Sequence, residues 1–380
     1  MIKKICVISA YYPSENDPHY AFVGTLIGAI ADRGIECHVI SPVSNMEKRH
    51  RAESRIETTP KGTEIHVHCP TYTVFPSRRI FGHETYRFTV SSKQRAIRKA
   101  FDRYVHDCDA IYSHFIDSGV HAALLSEKTG IPAYVAIGES NITNNRLSYS
   151  LYRSELHKYI RGVISVSSEL KKEAIDIGIF SAETPIEVFP NSIDTDLFRP
   201  MDKTEQRRDR GLSDADFVVS FVGGFIERKG FDKVQQVMGR HPDWKCILIG
   251  GGDIPITVPK EQIAFAGRIG HDRIPAYLCA SDVFVLPTKA EGCCNAIVEA
   301  MGCGLPIVSS DRGFNYDILN REYAILVDPE NVDEIDRALM TYASHPQLRK
   351  EHADKSLQAG KLLSIENRAN GIVRFMEKNL

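Results

Sequence analysis

The sequence predicts an α/β protein of two doubly wound parallel-sheet domains facing a cleft. Short apolar runs alternate with amphipathic helical stretches, and the alternation runs through the chain twice. The length agrees: 380 residues exceed one ordinary core and suit two domains of roughly 150–200 residues each.

In the first series the strands are expected at ICVISA (5–10), ECHVI (36–40), EIHVH (64–68), AIYSH (110–114), PAYVAI (132–137) and GVISV (162–166), with amphipathic helices over 21–33 and 93–105. In the second they are expected at FVVSFVG (217–223), KCILIG (245–250), IAFAG (263–267), VFVLP (283–287), PIVSS (306–310) and YAILV (323–327). Alternation of this kind gives parallel sheets covered by helices on both faces. FPNSIDTDLFRP (189–200), with two prolines and several turn formers, is the expected joint. The domains are then 1–192 and 193–363, and a last helix over 364–380, with Ser364 as N-cap, joins the first. Ligands of open α/β sheets bind beyond the carboxyl ends of the strands, so the chemistry belongs in the loops that follow them.

Composition bounds the partners. Hydrophobic residues make up 43% and charged residues 25%, the balance of a soluble globular protein, and a net charge of −2 argues against nucleic acid. Nine scattered cysteines without a C-x-x-C pair point to a reducing compartment, against a disulfide framework and a zinc site. The start MIKKICVISAYYP reads as a strand rather than a signal peptide. No apolar run approaches the 18 or so residues that span a bilayer, so a cytoplasmic protein is expected, free or at the inner face of the cell membrane.

The strongest local signal is TKAEGCCNAIVEAMGCGLPIVSS (288–310). A strand ends at Pro287, Glu291 follows in a loop, then Gly292, Cys293 and Cys294, then a helix from Asn295 to Met301 that stops at Gly302 and Gly304. The N–H groups of Asn295 and Ala296 at such a helix start favour an anion such as a diphosphate, and Glu291 and Glu299 on either side suit sugar hydroxyls. Taken alone, the same residues also read as a capped helix with two solvated glutamates.

The neighbouring segments add to this. E-x7-E at Glu291 and Glu299, preceded by VLPT, is similar to the donor-site motif of the family 4 retaining glycosyltransferases. PNSID (190–194), FVGGFIERKGFD (221–232), KCILIGGGD and IAFAGRIGHDRIPAYLCASDVFVLPT resemble further motifs of that family, in the family's order, over roughly residues 160–330. The resemblance implies the GT-B fold of two Rossmann-like domains, a nucleotide-sugar donor held on the second, and a glycan or lipid-diphosphate acceptor on the first. It implies that Glu291 faces the transferred sugar, Glu299 binds ribose, Lys229 neutralises the diphosphate, the amides of Asn295 and Ala296 hold it, and Arg268 and Ile269 meet the base. It also implies transfer from a UDP-sugar, in bacterial surface polysaccharide synthesis. Lys229, an arginine and a helix N-terminus supply the positive charge a nucleoside diphosphate leaving group needs, so neither metal nor cofactor is expected. D-x-D occurs at Asp107/Asp109, Asp194/Asp196 and Asp214/Asp216, too cheap a pattern to argue for a metal. His66 and His68, beside Cys69, read as a half-exposed strand.

Three positions depart from the family pattern. Its loop arginine is Gly224 here, and Arg228 either replaces it or is a solvated surface residue. Its E-G-F-G is E-G-C-C, placing Cys293 and Cys294 at the sugar site, and no neighbouring base activates either thiol. Its strand-end histidine is Ile137, so either the site works without that side chain, or Glu139 or His114 serves instead; His114, at the end of its strand, also reads as a structural histidine.

Basic residues cluster in the first half: Lys48, Arg49, Arg51 and Arg55, then Arg78, Arg79, Arg87, Lys93, Arg95, Arg98, Lys99 and Arg103. In 93–105, Ile97, Phe101, Tyr104 and Val105 form an apolar stripe with the basic residues elsewhere. This fits a docked helix with a solvated basic face, or one drawn to an anionic membrane or a diphosphate lipid. Two other enzyme classes remain open. A sugar-nucleotide epimerase shares the fold. A nicotinamide oxidoreductase would want G-x-G-x-x-G after an early strand, and AYYPSENDPHY has no glycine.

Overall fold

Runs apolar at nearly every position, rather than at alternate ones, form strands buried on both faces. In the computed structural model, which describes residues 1–14, 20–47, 52–75, 79–80, 83–139 and 142–380, these strands build two sheets in two units, Met1–Phe189 with Glu366–Leu380 and Pro190–Ile365.

The first unit holds β1 (Lys4–Ser9), β2 (Glu36–Ile40), β3 (Ser54–Thr58), β4 (Glu64–His68), β5 (Ala110–His114), β6 (Ala133–Ile137), β7 (Ile160–Ser165) and β8 (Ile186–Val188). Their order is β8-β7-β6-β5-β1-β2-β4-β3, parallel throughout except for the antiparallel β3–β4 pair. Every residue of β5 and β6 is buried, and Tyr112 and Tyr134 fill the core without exposure. Its helices include α1 (Ala21–Ala31), α2 (Tyr86–Ala100) and α3 (Ile116–Thr129).

Strand β3 is an edge strand the sequence did not suggest. It alternates exposed and half-buried residues, and its one large apolar side chain, Ile56, is 57% exposed. Helix α2 begins seven residues before the expected 93 and continues through a π-helical turn, Phe101–Val105. Nor is strand β4 half-exposed at its end: His68 is buried, with Nε2 3.3 Å from Nδ1 of His38 and its ring stacked on Tyr104 at 4.2 Å.

The second unit holds β9 (Val218–Gly224), β10 (Lys245–Gly251), β11 (Ile263–Gly267), β12 (Val283–Leu286), β13 (Ile307–Ser310) and β14 (Ala324–Val327), in the order β11-β10-β9-β12-β13-β14, parallel throughout. Helices α4 (Phe231–Arg240) and α5 (Asn295–Gly302) follow β9 and β12. Asp282, buried just before β12, ties the amino ends of the two central strands together. It accepts from the N–H of Val218 (2.7 Å), from Arg207 (2.6 Å) and from Lys203 (2.7 Å).

Helix α6 (Ile365–Lys378) begins directly after Ser364 and packs in the first unit. The Tyr134 hydroxyl donates to the Met376 carbonyl (2.9 Å), and the Ile2 N–H donates to Glu377 (3.0 Å). Among the described residues no helix is long and apolar enough to cross a membrane.

Candidate functional site

The second sheet starts at β9 and winds outward on both sides, to β10 and to β12. A gap between diverging loops is therefore expected at the carboxyl ends of β9 and β12. Those two loops hold most of the residues singled out in the sequence.

The loop after β9 folds back over Phe225, stacked on Phe231 at 4.1 Å, and makes a 3-10 turn over Glu227–Lys229. The turn ends at Gly230, with φ +71°. A Cβ there would sit 2.4 Å from the Pro287 carbonyl oxygen, so only glycine lets the two loops meet this closely. The Lys289 N–H then donates to the Arg228 carbonyl at 2.8 Å.

This contact brings three charged side chains together. Glu291 Oε1 accepts from Arg228 Nη1 at 2.8 Å and from the Thr288 hydroxyl at 2.8 Å, with Lys229 Nζ at 2.5 Å. Arg228 Nη1 also donates to the Ala290 carbonyl. Arg228 is therefore turned into the site, and both cations converge on one oxygen of Glu291. The cluster holds one net positive charge around a carboxylate 11% exposed, suited to an anion that would take over the two cations.

Beside it, Gly292 and Cys293 are buried, and Cys294 is the N-cap of α5. No side-chain oxygen caps that helix and its first turn has no acidic residue, while Asn295 is exposed and Ala296 half-buried. Burial pushes the Cys294 thiol up to about 11, against the pull of Lys229 and of the Ile297 and Ala296 N–H groups, so it stays a neutral thiol at the helix start. Cys293 turns elsewhere: its sulfur accepts the Asn191 N–H at 3.3 Å and its carbonyl the Asn191 amide at 2.9 Å. The second cysteine of E-G-C-C thus lies by the charged cluster, and the first anchors PNSID.

Glu299, on the second turn of α5, is buried and shares Oε1 with His271 Nε2 at 2.9 Å. That hydrogen bond raises the His271 pKa above its usual value. The His271 ring also rests against Phe198 at 5.1 Å. Nothing in the sequence singled out His271; it stands 28 positions from Glu299 and only the fold joins them. Gly224 pairs with Gly251 across β9 and β10, and a Cβ on Gly251 would meet Arg268 Nε at 2.9 Å. The exposed Arg268 therefore lies across glycine backbone, with Ile269 half-buried next to it.

One aspartate of each D-x-D pair serves the backbone, and Asp107 lies 3.6 Å from Lys4 Nζ. Asp109 accepts from the Lys3 and Lys4 N–H groups, Asp194 from Asp196 and Leu197, and Asp216 from Ser213.

In the first unit Ile137 is fully buried in β6. His114 is also buried, its Nδ1 3.2 Å from the Tyr112 hydroxyl, and burial drives its pKa down to about 3, so it stays neutral. Glu139 gives one oxygen to the Ile116 N–H (2.8 Å), capping α3, and the other to the Gly138 N–H (2.9 Å); burial raises its pKa despite these bonds.

Lys93 does not join a solvated basic face. It is buried against α3, 2.9 Å from Asp117, because it sits one turn before Ile97 on the apolar side of α2. Arg55 is also turned inward, to Glu57 (2.8 Å) and the Pro13 carbonyl (2.7 Å). Lys48, Arg49, Arg51 and Arg78 lie outside the described residues, as does the side chain of Arg79.

Two family models match the chain in succession, Glycosyltransferase Family 4 over residues 21–197 and Glycosyl transferases group 1 over residues 202–358. A glycosyltransferase named for teichuronic acid biosynthesis, TuaC of Bacillus subtilis (strain 168), is 25% identical over 92% of this chain and 92% of its own. The lipopolysaccharide core biosynthesis mannosyltransferase LpsB of Rhizobium meliloti (strain 1021) is 28% identical over 51% of this chain and 61% of its own. Among solved structures, sucrose-phosphate synthase from Thermosynechococcus elongatus superposes with a TM-score of 0.77 at 17% identity, covering 99% of this chain and 98% of that one. Anabaena Alr3699/HepE in complex with UDP-glucose superposes with a TM-score of 0.73 at 16% identity, covering all of both chains. The chain belongs to the family 4 glycosyltransferases and has their GT-B fold.

Proposed function

We propose that the protein is a retaining hexosyltransferase that moves a sugar from a UDP-sugar to a glycan or lipid-diphosphate acceptor in bacterial surface polysaccharide synthesis. The observation that carries this reading is the convergence of Arg228 and Lys229 on Glu291 at the start of α5. In the reaction the bond between the anomeric carbon and the β-phosphate oxygen breaks and its electron pair leaves with the diphosphate. The acceptor oxygen bonds to the same face of that carbon, and its proton passes to the diphosphate. Negative charge thus grows on the leaving oxygens, where fixed cations and backbone N–H groups stabilise it most.

In this reading Lys229, Arg228 and the amides of Asn295 and Ala296 hold the diphosphate. Glu291 turns from the two cations to the sugar. Glu299 takes the ribose hydroxyls, and Arg268 and Ile269 meet the base. Gly224, Gly292 and Cys294 form the floor, and Cys293 braces it from behind through Asn191. No metal or other cofactor takes part. UDP as the nucleotude carrier is supported by the complex named for UDP-glucose among the structural neighbours.

We place the protein in the cytoplasm, working at the inner face of the membrane. Arg87, Arg95, Lys99 and the 59% exposed Phe88 on α2 would meet anionic lipid there.

A thermal-shift screen of UDP-, GDP- and dTDP-sugars with EDTA present tests the donor. A UDP-sugar should raise the melting temperature, and the gain should survive EDTA. No shift with any UDP-sugar overturns the donor assignment, and a shift that requires added magnesium overturns the metal-free site.

A further inference from the structure

Two aromatic residues of the first unit hold backbone conformations that side chains rarely adopt. Tyr20 lies at φ +62°, ψ +34°, and Phe115 at φ +68°, ψ +156°. The second region is essentially glycine's own, so a side chain held there is strained. Bonds on both sides hold Phe115 there. Its N–H donates to the Ala136 carbonyl (2.8 Å), its carbonyl accepts the Gly119 N–H (2.9 Å), and Glu139 takes the next N–H, that of Ile116 (2.8 Å).

The strained backbone places a ring. Phe115 stands 5.4 Å from Tyr20 and 6.2 Å from Phe22, and Tyr20 stands 5.3 Å from both Tyr11 and Phe22. Tyr11 and Phe22 each expose 38% of their surface. Tyr11 and Phe115 follow the carboxyl ends of β1 and β5, and β1 is the strand from which this sheet winds outward on both sides. Backbone strain, partly exposed rings and a switch point coincide, as they do at binding sites.

We propose that Tyr11, Tyr20, Phe22 and Phe115 form a platform that receives a pyranose ring of the acceptor. A pyranose offers a face of C–H groups and a rim of hydroxyls. Aromatic faces meet the first, and the Tyr11 and Tyr20 hydroxyls meet the second. Burial, with Tyr11, Glu139 and Asp117 nearby, pushes the Tyr20 hydroxyl up to about 12, so it stays a donor. An isoprenoid chain would instead call for an aliphatic lining, and all four side chains here are aromatic. The word acceptor rests on the transferase reading above; the platform itself does not.

Saturation-transfer NMR on the full chain tests it, with methyl α-D-glucopyranoside, methyl α-D-galactopyranoside and methyl α-D-mannopyranoside as probes and geranyl diphosphate as the isoprenoid control. Ring C–H protons of at least one pyranoside should be saturated. Phe22→Ala and Phe115→Gly should each weaken that binding about threefold to tenfold. Phe115→Gly should keep the native melting temperature, since glycine relieves the strained φ, so its loss of binding is not loss of fold. The platform is overturned if no pyranoside is saturated, if both variants bind as the native chain does, or if only geranyl diphosphate binds. Calorimetry with UDP on the same samples reports the donor reading separately: pyranoside binding without UDP binding refutes the transferase and leaves the platform, and the reverse refutes the platform.

Discussion

At the scale of single residues, the site turns on one carboxylate shared by two cations. Replacing either cation leaves the other still paired with Glu291, and a diphosphate then meets a neutral cluster instead of a positive one. Arg228→Ala and Lys229→Ala should each lower kcat/KM by at least about tenfold, about 1.4 kcal/mol of transition-state stabilisation. A native rate in Arg228→Ala would return that residue to the role of a loop brace. Glu291→Gln has the opposite effect on binding, because it frees both cations. UDP affinity should hold or rise by calorimetry while turnover falls, and weaker UDP binding would refute this charge balance. His271 gives a second test. Its folded pKa is raised by Glu299, so the stability it contributes is fully present below its ordinary value of 6.5 and is lost as pH rises through the raised value. His271→Gln should therefore melt below the native chain in mild acid and with it at alkaline pH. A gap that widens with pH would show that the histidine is not held charged by Glu299.

At the scale of elements, the central strands were legible because burial on both faces writes itself as a continuous apolar run. Every run named in the sequence forms a strand, displaced by a residue or so at its ends. Edge elements do not write themselves this way. Strand β3 is Ser-Arg-Ile-Glu-Thr, and its pairing with β4 is a backbone interaction that leaves Ile56 outside. The front of α2, with Thr89, Val90, Ser91 and Ser92, has weak helix propensity, and tertiary contacts such as Lys93 to Asp117 impose the helix on it. In the site, Glu291 and α5 could be read because strand, glycine and helix signals surround them, and Lys229 through the resemblance of FVGGFIERKGFD to a family motif. The pairing of His271 with Glu299, the Cys293 bond to Asn191 and the Phe115 backbone depend on contacts between distant segments. The same holds for Asp282, an unremarkable residue in the sequence that anchors the feet of β9 and β12. Asp282→Ala leaves Arg207 buried without its carboxylate and should cost about 3–5 kcal/mol by chemical denaturation. A loss under about 1 kcal/mol would mean that the Ala280, Ser213 and Asp214 carbonyls satisfy Arg207 unaided.

At the scale of the whole molecule, the two units differ in how they hold histidine, and this predicts how acid takes the protein apart. In the first unit burial depresses His68 to about 4 and His114 and His121 to about 3, and His38 is lowered as well. Once unfolded, each binds a proton near pH 6.5, which the folded unit refuses. Protons then favour the unfolded state, so stability is lost as pH falls below about 6.5 and goes on falling until the folded pKa values are reached. The second unit has one lowered histidine, His352, set against His271, whose raised pKa works the other way. Between about pH 7 and pH 5 the first unit should therefore lose stability faster than the second. Calorimetric scans can identify the units, because a nucleotide that binds only the second raises only its transition. With UDP present the scan should split into an acid-labile transition that UDP leaves unmoved and a transition that UDP raises and that keeps its position down to about pH 5. If the transition that UDP raises is also the acid-labile one, the buried histidines do not govern acid stability, or the nucleotide is not held at Glu291 and Glu299.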